Sequence, residues 1–149
     1  MNIPDNLQNF PEPSLILIGD FGKTIIHKAH GINIDELRVV ESRDPAFPDS
    51  ESTVIVSKGI RAHSDAAHNK EEDRKHYAKD IVEALTDFVD DHDIKDIQLI
   101  MPTELYNLIN QYLSRDVQDL ITRHLNKDLT KSDLVEALER LLEIPKDIN

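Results

Sequence analysis

The sequence predicts a mixed fold of the α+β or α/β class, a mixed β-sheet flanked by helices. Three observations predict it. Residues 69 to 102 read as one long amphipathic helix followed at once by a short apolar run that Pro102 closes. The residues before it hold strand-like apolar runs separated by glycine turns, and those after it return to helical spacing. Strands first, then helix, strand and helix again, describes a sheet with helices packed on it.

The central helix is predicted from Asn69 onward. Tyr77, Ala78, Ile81, Val82, Leu85, Phe88 and Val89 recur at the spacing of one helical face. Asn69 with Glu72 matches a capping box. Asp91-His92-Asp93 breaks the pattern, and Ile97-Gln98-Leu99-Ile100-Met101 reads as an interior strand. Thr103 is the expected cap of a second helix with a face of Leu105, Leu108, Ile109, Tyr112 and Leu113.

Toward the N-terminus, Leu15 to Ile18 and Thr24 to Lys28 form a predicted hairpin around Gly19-Asp20-Phe21-Gly22. Leu37 to Glu41 is a third strand, and Thr53 to Val56 a short extended piece. Between and after these, Ser42–Ser52 and Ser57–His68 read as loop, the kind of long irregular region that carries function. Leu120 to Leu125 fits either a helix or a strand, and periodicity favours helix. A final helix is expected after Thr130, with Thr130 as cap, Asp133 at the capping-box position, and Leu134, Ala137, Leu138, Leu141 and Leu142 inward. Residues 1–13, with three prolines, read as a leader that drapes over the domain or frays. Residues 14–143 are then a single domain and 144–149 a tail.

At 149 residues the chain suffices for one core. Its net charge of −12 opposes a bulk grip on nucleic acid or an anionic membrane surface. There is no cysteine, so disulfides and thiolate chemistry are excluded. No secretory signal or apolar stretch of ~20 residues is visible, so a cytoplasmic location is expected.

Four stretches resemble the bacterial host attachment protein family. They are Leu15 to Lys28 with its Gly19-Asp20-Phe21-Gly22-Lys23 turn, Ile60-Arg61-Ala62-His63, Glu71 to Leu85 with Tyr77-Ala78-Lys79, and Asn126-Lys127-Asp128-Leu129-Thr130. The resemblance implies a ribonuclease-H-like sheet similar to the middle domain of archaeal and eukaryotic release factors. It also implies that Leu120 to Leu125 is a strand. Release factors carry Gly-Gly-Gln in their catalytic loop. Here Ser57-Lys58-Gly59-Ile60-Arg61 has one glycine and no glutamine, so peptidyl-tRNA hydrolysis is not implied.

Several side chains carry candidate chemistry. Asp20 is a candidate catalytic carboxylate at a strand end, or an aspartate accepting its own turn's amides. His63 is a second catalytic candidate. Arg61, His63, Lys127 and Asp128 are candidate binding residues, with Asp128 alternatively favouring the start of the next helix. His63, His68 and His76, near Asp65 and Glu72, are weak metal-ligand candidates whose spacing matches no metal motif. No cofactor is expected. The leading expectation is a non-catalytic binding domain that meets the translation machinery or a regulatory protein. The alternatives are a nuclease or esterase-like hydrolase using Asp20, Arg61 and His63, and an attachment factor at the cell surface.

Overall fold

The computed structural model describes residues 1–43 and 66–146, with side chains of the second stretch from residue 70. The expected strand Thr53 to Val56 and the candidate residues Arg61, His63 and Asp65 lie outside the described residues.

Among the described residues five strands form one mixed sheet in the order β3-β2-β1-β4-β5. They are β1 Ser14–Gly19, β2 Lys23–His30, β3 Asn33–Glu41, β4 Asp96–Ile100 and β5 Ile121–Leu125. β1 is antiparallel to β2 and parallel to β4, β2 is antiparallel to β3, and β4 is parallel to β5. The helices are α1 Ala66–Asp91, α2 Thr103–Asn110, α3 Arg115–Gln118 and α4 Leu134–Leu142. The predicted mixed sheet flanked by helices is therefore present.

Strand side chains alternate between faces, and both faces are covered. Leu15, Leu17, Ile26 and Leu99 pack with Tyr77, Ile81 and Leu85 of α1 and with Leu105 and Ile109 of α2. Ile16, Ile18, Ala29 and Ile100 pack on the other side with Ala137, Leu138 and Leu141 of α4. Ile3, Leu7 and Phe10 complete that second layer, so the N-terminal segment lies on the sheet. Cover on both faces explains why every residue of β1 and β4 is buried and why Leu15 to Ile18 of β1 read as one unbroken apolar run.

Local details depart from the sequence expectation at the helix ends. α1 begins at Ala66, so Asn69 and Glu72 lie inside it and form no capping box. Ala66 and Ala67 are strong helix formers that extend the helix backward. Pro102, not Thr103, takes the cap position of α2, and the Thr103 N–H donates to the Asn126 side-chain oxygen at 2.9 Å. Asp133 takes the cap position of α4 without a side-chain capping bond. Of the predicted inward set on α4, Ala137, Leu138 and Leu141 are buried, while Leu134 and Leu142 are half-buried. The periodicity reading of Leu120 to Leu125 as helix is also corrected. The Ile97 N–H donates to the Leu120 carbonyl at 2.8 Å and opens a parallel ladder, for which β-branched Ile121 and Thr122 are suited.

Candidate functional site

β1, β4 and β5 run parallel, so their carboxyl ends open along one edge of the sheet. Such edges are where open α/β sheets hold ligands. Asp20 follows β1, Pro102 follows β4, and the Asn126–Thr130 stretch follows β5.

Asp20 organises this edge. Its Oδ1 accepts the N–H groups of Gly22 at 2.7 Å and Lys23 at 2.9 Å, which closes the β1–β2 turn. Its Oδ2 accepts the Thr130 hydroxyl at 3.0 Å. Its carbonyl accepts the Tyr77 hydroxyl at 2.7 Å, and that hydroxyl is also 2.7 Å from Thr24 Oγ1. A Cβ at Gly19 would collide with Thr24 Oγ1, so glycine is required for the turn to approach β2 this closely. The Arg74 guanidinium lies 4.1 Å from the centre of the Phe21 ring and lids the turn from α1.

Burial raises the Asp20 carboxyl, but the Lys23 and Gly22 amides and the Thr130 and Asp128 side chains outweigh it. The net result holds Asp20 below the usual aspartate value. Burial also pushes the Tyr77 hydroxyl far above its usual range, so it remains a neutral donor.

Asp128 joins the same junction. Its Oδ1 lies 2.8 Å from the Thr130 hydroxyl and accepts the Thr130 N–H at 3.2 Å. Thr130 therefore braces two loops rather than capping α4, and Asp128 braces Thr130. Lys127 is exposed, with its N–H donated to the Leu125 carbonyl at 2.9 Å. His76 is exposed on α1, and the His68 side chain lies outside the described residues. Among the described residues no set of three or more histidines and carboxylates is placed to hold a metal ion. The structure thus brings Asp20 and Asp128 together and leaves Lys127 and His76 apart as solvated groups.

A second polar constellation was not foreseen from sequence. Asp96, Gln98 and Arg123 are buried on the α4 side of the sheet. Arg123 Nη1 donates to Gln98 Oε1 at 2.9 Å, and Gln98 Nε2 donates to Asp96 Oδ2 at 2.6 Å. The Ser14 and Thr122 hydroxyls also donate to Asp96. Arg123 Nε donates to the Ile144 carbonyl at 2.6 Å, tying down the chain just after α4. The signal in the sequence was Gln98 inside an apolar strand and Arg123 inside the next one.

A family profile described as "Protein required for attachment to host cells" matches residues 47–141, nearly two thirds of the chain. The match takes in Tyr77, Asp128 and Thr130 and leaves out Asp20. No curated protein matches the chain. Among solved structures, the crystal structure of archaeal translation termination factor aRF1 is similar at 12% identity and a TM-score of 0.46. The alignment covers 91% of this chain and 38% of that one, and a likeness so distant carries no argument about function. Among the described residues no helix is long and apolar enough to cross a membrane.

Proposed function

The chain belongs to the family of proteins required for attachment to host cells, and from that premise we propose that it is a non-catalytic binding domain that engages a protein partner in the cytoplasm. The observation that carries this reading is the engagement of Asp20. Both of its carboxylate oxygens are occupied by turn amides and by Thr130. A carboxylate held below its usual value is also poorly matched to general-base work near neutral pH. The strongest candidate for catalysis is thus engaged in holding the edge together. The net charge of −12 favours a basic protein surface over bare nucleic acid as partner. A ribosomal protein and a basic regulatory protein both meet that description.

Capture from a lysate of the source cell, with and without ribonuclease, tests the reading. The expected result is a specific protein partner retained after ribonuclease treatment. Loss of every partner on ribonuclease treatment, or recovery of none, contradicts it.

A second reading, an attachment factor at the cell surface, draws on the family description itself. Fractionation separates the two, because protein found on the outer surface supports the second reading and excludes the first location.

A further inference from the structure

His27 sits in the interior of β2 and is only 6% exposed. Its register partners are Ile16 on β1 and Glu36 on β3. Directly paired residues share a face, and Ile16 belongs to the face that Ile3, Leu7 and Phe10 cover. Ala29, two residues along β2, packs in that same layer. Backbone bonds hold the N-terminal segment to the β2–β3 hairpin, and the Met1 ammonium adds a bond to the Ile34 carbonyl at 3.1 Å and an ion pair with the exposed Asp35. The Ile3 N–H donates to the Ile32 carbonyl at 2.6 Å, the Ile34 N–H to Met1 at 2.9 Å, and the Gly31 N–H to Phe10 at 2.8 Å.

The ring's Nδ1 is buried and has no hydrogen-bond partner among the described residues. A neutral imidazole tolerates one bare nitrogen as an acceptor. An imidazolium carries two N–H donors, and a buried donor without an acceptor is costly. The charged groups around it offer little relief. Glu36 acts on the ring from β3 but is exposed. Asp5 and Glu12 on the N-terminal segment, and Glu139 and Arg140 on α4, are exposed as well.

We propose that His27 is an acid-sensitive release for the N-terminal segment, whose hold on the sheet through Ile3, Leu7 and Phe10 loosens when the ring takes up a proton. Burial lowers the ring from the ordinary histidine value, outweighing the Ile16 carbonyl and Glu36, which raise it. A segment that lifts away returns the ring to water and to the ordinary value of about 6.5. The opened form therefore binds the proton that the closed form refuses. Closure weakens as pH falls below about 6.5, until the folded ring itself titrates.

Amide hydrogen exchange tests this. Protection factors at the Ile3 and Gly31 amides, corrected for intrinsic rates, should fall by up to about tenfold between about pH 7.5 and 5.5. His27→Leu should make them flat with pH. His30→Gln, at the exposed end of the same strand, should leave the fall in place. If His27→Leu does not fold, ring titration of the wild-type protein by NMR decides. A His27 value below that of a free histidine, with the fall in protection, supports the release. A ring that titrates at or above the ordinary value, or protection that does not change with pH, overturns it.

Discussion

Thr130 donates its hydroxyl to Asp20 at 3.0 Å, joining residues 110 positions apart in the chain. This bond links the β1–β2 turn to the loop that leads into α4. Tyr77 reaches the same turn from α1. Three of the four stretches that resemble the host attachment family meet at this one aspartate, and the fourth, Ile60 to His63, lies outside the described residues.

Thr130→Val removes the hydroxyl and keeps the shape. It should cost about 1 kcal/mol in urea unfolding, a typical value for one hydrogen bond. Thr130→Ser should restore most of the loss.

Tyr77→Phe deletes the group shared by the Asp20 carbonyl and Thr24 Oγ1, and both are then left short of a partner. The expected loss is about 1–3 kcal/mol, because a buried polar group without a partner costs more than the mean bond. Thermal unfolding followed by circular dichroism would read it.

Asp20 is held below the ordinary aspartate value of about 3.9 in the folded protein. Its contribution to stability is therefore complete above that value and is lost as pH falls through the lower folded value. Asp20→Asn should flatten this part of the acid unfolding profile, measured by denaturant titration across a pH series.

Arg123→Met should be costly although it adds no bulk to the core. It strips a partner from Gln98 and the Ile144 carbonyl and leaves Asp96 with less compensating charge. Breaking a buried charge network in this way costs about 3–5 kcal/mol. Faster exchange of the Leu141 and Ile144 amides would locate the damage at the end of α4.

Much of the fold was legible because it rests on apolar pattern. The run of Leu15 to Ile18 and the stripe from Tyr77 to Val89 state a covered strand and a helix face directly. Leu120 to Leu125 was not, because Val117, Leu120 and Ile121 share helical spacing across what is in fact a short helix and then a strand. Capping failed for a related reason. Asn69, Thr103 and Thr130 are competent cap residues, but Asn69 is enclosed by helix, Thr103 follows a proline, and the Thr130 hydroxyl is drawn to a distant carboxylate. Asp20 was legible as a turn residue, since Gly22 and Lys23 lie within its reach. Its bond to Thr130 was not, since no local rule connects a hairpin to a loop 110 positions later in the chain. Asp96, Gln98 and Arg123 stayed hidden because burial of a polar row depends on partners from three strands.

The most direct measurement of the central claim is urea unfolding of Asp20→Asn, paired with partner capture by the same variant. The account predicts a loss of about 1–3 kcal/mol, with the folded protein still capturing the wild-type partner. A variant as stable as wild type that has lost its partner or an activity would contradict it, and would make Asp20 a working group of the site and not its brace.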